Sequence, residues 1–414
     1  MGEEHHCAGE PGAQVAIKRH ELDGSGAAAG GPWKTGPMSS RPMKPRPQPD
    51  AVESDGPKPA GKGRRHLAMR LDDAWLGLQT RLAIRRGRVE TVIPYTGYGS
   101  TAWVRVLARV VRSDPRDAAG HAKPLQESMR GWRNFTSAPV ANAAVKVTIA
   151  GTVHDVVADR GGVVDARIPV ALNPGWHTIE LQSGESQVVE APVRIVADDT
   201  DFGVVSDIDD TVMVTALPRP FLAAWNTFVL NEHARTPTPG MAVLYERIAR
   251  TAPSAPVLYL STGAWNVAPT LSRFLSRNLY PAGPKLLTDW GPTPDRWFRS
   301  GQEHKRTSLE RLAGEFPHVK WLLVGDDGQH DEAIYSEFAQ RHPENVRAIA
   351  IRQLSAGEAV LAGGRSKTGG QPTPGVPWIY APDGAGMSAR LEELGIIRSD
   401  IRSADDPEEG DVQS

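Results

Sequence analysis

The chain has 414 residues, of which 40% are hydrophobic and 23% are charged. This is enough for two domains with substantial cores, at about 150 residues per domain. The formal net charge of −2 provides no global positive field, so we predict no nucleic-acid partner. A single cysteine, Cys7, excludes an internal disulfide and any multi-cysteine metal site.

The N-terminal residues 1–63 are rich in glycine, proline and charge. We predict that they are disordered, because they have too few apolar side chains to form a core. Eight basic residues fall within residues 41–70, against three acids. This stretch is either a solvated linker or a basic tether to anionic lipid.

An amphipathic helix is predicted over residues 64–88. The side chains of Leu71, Trp75, Leu78 and Leu82 recur at helical spacing and form one apolar stripe. The stripe either docks on the protein's own domain or, with its basic flanks, contacts a membrane. No apolar run reaches the ~20 residues that cross a bilayer. We therefore expect a cytoplasmic protein that is at most peripheral at a membrane surface.

Residues 89–200 are predicted to form a β-sandwich domain, because the apolar period changes to two and turn signals separate the segments. Short strands at such regular spacing are typical of a sandwich. No catalytic constellation is found among them. The predicted strands include residues 103–111, 144–149, 153–157, 163–168, 178–181 and 188–195.

Residues 201–362 show strand–helix alternation, which predicts a parallel sheet covered by helices. Short apolar runs at 203–206, 257–261, 321–324 and 347–351 are typical of buried parallel strands. Helices are predicted at 241–250 and 305–315. The remaining residues, 363–414, begin as a Gly/Pro-rich linker. We expect residues 376–397 to pack back as an extended segment and a short helix, before an acidic end.

The strongest chemical signal follows the first of these apolar runs. Asp207 and Asp209 are two residues apart at its end, and Thr211 comes next. At the carboxyl end of a parallel strand, such side chains project into the crevice where ligands bind. One carboxylate can attack phosphorus while the other protonates the leaving oxygen and then activates water. The alternative is an ordinary loop start, since Asp and Thr also favour turns.

A second carboxylate cluster weakens that alternative. The run at 321–324 is followed at once by Asp326, Asp327 and Asp331. Together with Asp207 they offer the oxygen ligands that Mg²⁺ prefers, namely carboxylates alongside phosphate and water. A bound cation would offset the repulsion between a carboxylate nucleophile and a phosphate dianion. We therefore predict Mg²⁺ as the cofactor.

Two further features lie between the acidic clusters. The strand predicted at 257–261 ends at Ser261 and is followed by Thr262 and Gly263. These three residues can donate hydrogen bonds to phosphate. Lys305, next to a predicted helix, could reach both the phosphate and the nucleophile. Lys285 is a rival for that role, and either lysine alone is no more than an ordinary basic residue.

These motifs, in this order, resemble the haloacid dehalogenase superfamily of phosphatases and, within it, the actin-patch-type phosphatidate phosphatase family. The resemblance covers roughly residues 89–354. It is carried by residues 206–211, by Leu260 and Ser261 with Trp265 four residues on, by His304 and Lys305, by residues 325–335, and more loosely by residues 94–99.

The resemblance implies a Rossmann-like parallel sheet of the haloacid dehalogenase type and a role for each catalytic residue. Asp207 would be the nucleophile and Asp209 the general acid/base. Thr211 would orient the acid/base loop, and Lys305 would offset the negative charge of nucleophile and phosphate.

The binding residues follow from the same resemblance. Ser261, with Thr262 and Gly263, would bind the phosphoryl oxygens. Asp326 and Asp331 would hold the metal together with Asp207 and the backbone carbonyl of Asp209.

Two positions depart from the family pattern. Asp327 follows Asp326 where a serine is expected, so the second metal-site acid is either Asp327 or Asp331. Gly263 and Ala264 stand where Ser-Pro is expected, so one phosphate contact differs. Neither departure touches the nucleophile.

The implied reaction is the Mg²⁺-dependent hydrolysis of phosphatidate to diacylglycerol and phosphate through an aspartyl phosphate. Only 54 positions separate Asp207 from Ser261, which leaves no room for a large cap domain and suits a bulky or membrane-embedded substrate. Bulky apolar residues in that insert, such as Phe221 and Trp225, either approach the acyl region of a lipid or pack on the sheet. The alternatives are the same chemistry on a soluble phosphate ester or phosphoprotein, and a non-catalytic lipid- or protein-binding scaffold. Oligomeric state is not predicted.

Overall fold

The computed structural model describes residues 82–115, 137–214, 236–288, 294–328, 330–361, 364 and 373–399. The predictions for the N-terminal segment, most of the amphipathic helix, the apolar insert and the acidic C-terminal end lie outside these ranges. Residues 82–85 are the described end of the predicted helix, and Leu82, the last member of its apolar stripe, is 40% exposed. None of the described helices has the length and hydropathy needed to span a bilayer.

The first domain consists of nine strands joined by hydrogen bonds. Strand β3 is the longest and pairs with four others, which makes it the centre of the arrangement. The strands are β1 Val89–Pro94, β2 Gly97–Ser100, β3 Trp103–Ser113, β4 Ala138–Pro139, β5 Ala144–Ile149, β6 Thr152–Val157, β7 Val163–Pro169, β8 Gly175–Ser183 and β9 Val189–Val196.

Alternate residues of these strands meet in one core. Side chains such as Val106 on β3, Val147 on β5 and Leu181 on β8 are fully or almost fully buried and belong to one cluster. This is the outcome of the period-two pattern, which places every second side chain on the same face. All six predicted strands are present. The hydrogen bonds link them in the order β1-β3-β2-β9-β8-β5-β6, with β4 and β7 paired to β3 as branches. The description of the domain as a sandwich stays a prediction.

The second domain is built on a six-stranded sheet in which every described pair is parallel. Its order is β14-β13-β10-β15-β16-β17, and a separate two-stranded ribbon pairs β11 with β12. The strands are β10 Phe202–Asp207, β11 Met213–Val214, β12 Thr236–Pro237, β13 Val257–Ala264, β14 Lys285–Thr288, β15 Lys320–Asp326, β16 Val346–Arg352 and β17 Trp378–Ala381.

The helices between these strands cover the sheet. Helix α3 begins earlier than predicted, so Lys305 lies in the middle of a long helix rather than in its first turn. The helices are α1 Met241–Thr251, α2 Ala268–Arg277, α3 Pro294–Glu315, α4 Asp331–Arg341, α5 Ala356–Leu361 and α6 Gly384–Glu393, with short 3₁₀ segments at Trp265–Val267 and Pro343–Asn345.

The C-terminal segment is part of this sheet. Strand β17 pairs with β16 through Ile349 and Trp378, and α6 packs against α1 and β17. The extended segment and short helix expected at 376–397 are therefore present. The predicted domain boundary at residue 362 does not coincide with the end of the sheet, because sequence distance does not show that β17 adds a sixth strand.

An aromatic and charged interface joins the two domains. Tyr98 of β2 and Arg105 of β3 both donate hydrogen bonds to the carboxylate of Glu315, at the end of α3. Tyr95 stacks on Trp265 with ring centroids 4.7 Å apart, and its hydroxyl donates to the Trp265 carbonyl. The contacts are extensive enough that residues Gly61–Ser414 form one compact unit.

Candidate active site

Asp207 is the last residue of the central strand β10 and is only 2% exposed. Burial raises the pKa of this carboxyl well above its usual range; the Lys305 ammonium lowers it, and the acids around it raise it further. Two hydrogen bonds hold its backbone in place: the Ser206 hydroxyl donates to the Asp207 carbonyl at 2.7 Å, and the Tyr245 hydroxyl donates to the Ser206 hydroxyl. The candidate nucleophile is therefore held on a rigid strand end.

Lys305 is the cation that faces this carboxylate. Its Nζ lies 2.6 Å from Asp207 Oδ1 and 2.6 Å from Asp331 Oδ1, in a buried environment. Burial alone would lower the pKa of Lys305, but the two carboxylates outweigh it and raise the pKa. The lysine is thus charged, and it neutralises part of the charge of the acidic cluster.

The rival Lys285 lies elsewhere. It is the first residue of β14, and β13 lies between β14 and β10. The register pairs Lys285 with Tyr259 and Tyr259 with Ser206, so Lys285 lies two strands to the side of the predicted nucleophile. Its Nζ donates to the Gly283 carbonyl at 3.3 Å, and burial lowers its pKa to about 8. Of the two lysines, only Lys305 is paired with the predicted nucleophile.

Three acids form the candidate metal centre. Asp207, Asp326 and Asp331 are buried, and each offers one oxygen within 4.8 Å of those of the other two. The parallel pairing of Ser206 with Val324 brings the ends of β10 and β15 to the same edge, and Asp331 opens α4 beside them. Burial, together with Asp331 and Asp210, raises the pKa of Asp326, while Lys305 and the Gly328 N–H lower it.

This donor set fits Mg²⁺. Octahedral coordination with metal–oxygen distances of about 2.0–2.1 Å places ligand oxygens about 3–4 Å apart, which the spacing of the three carboxylates permits. Asp331 Oδ2 is buried and has no hydrogen-bond partner among the described residues, so this oxygen is available as a metal ligand. Whether the Asp209 carbonyl is a further ligand stays a prediction.

The structure separates the two acids left open by the sequence. Asp331 joins the candidate metal group, whereas Asp327 Oδ1 accepts a hydrogen bond from the Leu354 N–H at 2.9 Å. Asp327 therefore supports the loop after β16, and Asp331 is the acid placed for the metal.

The candidate acid/base Asp209 lies beside the predicted phosphate-binding strand end. Ser261 donates a hydrogen bond from Oγ to Asp209 Oδ2 at 2.9 Å. In turn, the Gly263 N–H donates to Ser261 Oγ at 3.0 Å. The register that pairs Asp207 with Leu260 places these residues next to each other. The predicted acid/base and phosphate-binding residues are thus brought together.

A small cleft of about 30 Å³ opens onto this group of residues. Six of the predicted residues line it. The cleft is also lined by three residues that the sequence analysis did not predict: Gln302, His330 and Ile334. Gln302 lies one turn of helix before Lys305, and that spacing was the signal that could have found it. The predicted residues in the lining are Asp207, Asp209, Thr262, Lys305, Asp326 and Asp331.

Comparison with known proteins agrees with this geometry. Residues 202–353 match the family model described as the catalytic domain of the phosphatidate phosphatase APP1. These residues, about a third of the chain, are thus similar to that catalytic domain. The matched range contains every predicted site residue. It begins after the β-domain, so the likeness of residues 94–99 to that family stays a prediction.

Two curated relatives are similar to part of this chain. The phosphatidate phosphatase APP1 of Saccharomyces cerevisiae is 26% identical over 154 residues, which are 37% of this chain and 26% of that protein. An uncharacterized protein of Schizosaccharomyces pombe is 28% identical over 182 residues, or 43% of this chain and 30% of that protein. The chain thus matches less than a third of the length of either relative.

Among solved structures, a carbohydrate acetylesterase from Xanthomonas citri matches with a TM-score of 0.24 and 10% identity, over 66% of this chain and 73% of that one. A similarity this weak carries no argument about fold or function.

The loop that follows the candidate nucleophile is held by side chains from other parts of the domain. Thr211, expected to orient the loop, is fully buried, and its Oγ1 has no hydrogen-bond partner among the described residues. Two other side chains bind the loop carbonyls: Arg352 donates to the Asp210 carbonyl at 2.7 Å, and Tyr280 donates to the Val212 carbonyl at 2.9 Å. The sequence analysis missed both, although Arg352 directly follows the strand predicted at 347–351.

Proposed function

We propose that the protein is a Mg²⁺-dependent phosphatidate phosphatase whose second domain has the haloacid dehalogenase type of fold. The carrying observation is the buried contact of Lys305 with Asp207 and Asp331, with Asp209 beside Ser261, inside the segment that matches the APP1 catalytic domain. These residues provide a nucleophile, a counter-charge, a metal donor set and an acid/base at one edge of the sheet.

In the first step, a carboxylate oxygen of Asp207 attacks phosphorus and forms an aspartyl phosphate. The bond between phosphorus and the leaving alcohol breaks, and Asp209 gives its proton to that oxygen. Ser261 donates to Asp209 and is placed to direct its carboxyl group toward the cleft. Lys305 stabilises the negative charge that gathers between the carboxylate and the phosphoryl oxygens.

In the second step, Asp209 takes a proton from a water molecule, which attacks phosphorus and breaks the bond to Asp207. Inorganic phosphate leaves and the Asp207 carboxylate is restored. Asp207, Asp326 and Asp331 would hold Mg²⁺, which supplies charge stabilisation for the transferred phosphoryl group.

The substrate assignment rests on the matched family and on the short chain between Asp207 and Ser261. The printed name of the yeast relative is that of a phosphatidate phosphatase, which supports a phosphorylated lipid as substrate here. With such a substrate, the protein would work as a cytoplasmic enzyme at the surface of a membrane. The cleft that reaches Asp207 is where the phosphate group of such an ester would bind.

The test is phosphate release from phosphatidate in mixed micelles, with and without Mg²⁺, for the native chain and for Asp207→Asn. We expect release that needs both the metal and Asp207. Metal- and Asp207-dependent turnover of p-nitrophenyl phosphate without release from phosphatidate would retain the mechanism and reject the lipid. No phosphate release from either ester would reject the proposed phosphatase activity and favour a non-catalytic binding scaffold.

A further inference from the structure

Arg352 occupies a position that the proposed reaction has not used. It is the last residue of β16, it is 4% exposed, and it pairs in the sheet with Asp326 of β15. Its side chain nevertheless reaches past β15 to the loop that follows β10. Since neighbouring strands are about 4.8 Å apart, this spans two strand spacings. The reach needs an extended arginine and is too long for a shorter basic side chain to reproduce with the same contacts.

The guanidinium group donates in three directions. Nη1 donates to the Asp210 carbonyl at 2.7 Å, Nη2 to Glu358 Oε1 at 2.6 Å, and Nε to the Pro382 carbonyl at 3.3 Å. Asp210 belongs to the acid/base loop, Glu358 to α5, and Pro382 to the connection between β17 and α6. One planar group thus joins three separate segments at the carboxyl edge of the sheet.

Asp210 has a backbone conformation that needs such support. Its φ is +57°, in the left-handed region that non-glycine residues rarely adopt. A non-glycine residue keeps this conformation only where its surroundings enforce it. The carbonyl that Arg352 binds is that of Asp210 itself, one residue after Asp209. Releasing it would let the backbone relax and would turn the Asp209 side chain away from Ser261.

We propose that Arg352 is a positioning residue for Asp209, an inference that rests on the proposed function. Arg352 touches no reacting atom. It fixes the conformation of Asp210, and Asp210 fixes the direction in which the Asp209 carboxyl group points. The main-chain carbonyl of Arg352 also accepts a hydrogen bond from the Asp327 N–H at 3.0 Å, which ties the metal-site loop to the same residue.

This role makes a specific kinetic prediction. Proton donation by Asp209 matters for the alkoxide leaving group of a lipid phosphate, and matters much less for p-nitrophenolate, which leaves without a proton. A misdirected Asp209 therefore slows the first step for the alkyl ester and spares it for the aryl ester. A general loss of folding or of metal would slow both equally.

The experiment compares single-turnover release of dioctanoylglycerol from dioctanoyl phosphatidate with release of p-nitrophenol from p-nitrophenyl phosphate. Enzyme is in excess and Mg²⁺ is present, so only phosphoryl transfer to Asp207 is measured. For Arg352→Met, we expect the alkyl rate to fall at least ~10-fold more than the aryl rate. Arg352→Lys keeps the positive charge but lacks the planar group, so it should change the ratio of alkyl to aryl rates in the same direction but by less. If Arg352→Met does not fold, the rates of Arg352→Lys provide the test.

Arg247→Met is the matched control. Arg247 also ties the C-terminal segment to the domain, donating to Glu392 at 2.8 Å and to the Arg398 carbonyl at 2.9 Å, but these contacts are made with α6 and the residues after it. Its ratio of alkyl to aryl rates should equal that of the native chain. A ratio of alkyl to aryl rates that stays unchanged in the Arg352 variants, whether or not both rates fall, would overturn the positioning role alone. A native chain inactive on both esters would overturn the proposed function, and the role with it.

Discussion

Lys305 Nζ lies 2.6 Å from Asp207 Oδ1 and 2.6 Å from Asp331 Oδ1, so one buried cation joins the candidate nucleophile to the candidate metal-site acid. Replacing Lys305 with methionine leaves these acids buried without their counter-charge, which costs about 3–5 kcal/mol in comparable pairs. We expect Lys305→Met to lose phosphatase activity and to melt at a lower temperature in EDTA. Added Mg²⁺ should raise the melting temperature of the variant more than that of the native chain.

The control for this change is Lys320→Met, which removes an exposed lysine at the start of β15. It should leave activity and melting temperature nearly unchanged. If Lys305→Met kept full activity, the charge-offsetting role of Lys305 would be wrong.

The two acids that follow Asp326 should respond differently to amidation. Asp331→Asn removes a carboxylate from the candidate metal group, so the Mg²⁺ concentration for half-maximal activity should rise more than ~10-fold. Asp327→Asn keeps an oxygen that can accept from the Leu354 N–H, so its Mg²⁺ requirement should stay within about threefold of the native value. Mg²⁺ titration of activity measures both. The reverse order of effects would make Asp327 the ligand.

Gly325 allows Asp331 to approach the end of β15. A Cβ built at Gly325 would lie 2.6 Å from Asp331 Oδ2 and 2.7 Å from a ring carbon of Tyr335. Gly325→Ala should therefore displace Asp331, lower the affinity for Mg²⁺ and destabilise the fold by about 1–3 kcal/mol, as overpacking does.

Gly314→Ala is the matched variant for that change, since a Cβ at this position of α3 meets nothing within 4 Å. It should stabilise the protein by about 0.5–1 kcal/mol through helix propensity. Urea unfolding of both variants, with Mg²⁺ titrations beside it, tests the pair. A Gly325→Ala variant with native Mg²⁺ affinity would contradict the close approach of Asp331.

Lys285 offers a stability prediction with a defined pH dependence. Burial lowers its pKa from 10.5 to about 8, so the folded state bears the cost of a buried charge at every pH below 8. At one pKa unit per ~1.4 kcal/mol, Lys285→Met should gain about 3 kcal/mol at most near neutral pH. Between pH 8 and 10.5 the unfolded chain binds more protons than the folded one, so native stability rises with pH and the advantage of the variant shrinks. Urea unfolding at pH 7 and pH 10 measures this; an equal gain at both values would contradict it.

Glu315 is the main polar link between the domains. It accepts from Arg105 at 2.8 and 3.0 Å and from the buried Tyr98 hydroxyl at 2.8 Å. Glu315→Ala leaves both donors without this acceptor, which should cost about 2–4 kcal/mol. Glu246→Ala, which breaks an exposed pair with Arg250, should cost less than about 1 kcal/mol. Thermal unfolding compares them, and similar effects would show that the interface does not depend on Glu315.

The sequence by itself determined the elements and the chemistry at their ends. Buried parallel strands show as unbroken apolar runs, and acids directly after such runs lie at the carboxyl edge of the sheet. That is why Asp207, Asp209 and Asp326 could be assigned to one site before any distance was known. The family match over residues 202–353 agrees with the resemblance carried by the same motifs.

Only the tertiary structure decided between residues whose local patterns are equivalent. Asp327 and Asp331 are both acids after the same strand, and the turn into α4 determines which one faces Asp207. Lys305 and Lys285 are both basic residues near a strand or helix, and the strand order separates them, since β13 lies between Lys285 on β14 and Asp207 on β10. Arg352 reaches Asp210 across 142 positions of sequence. Contacts of this kind depend on strand order, which single-residue periodicity does not encode because it reports only the faces of each element.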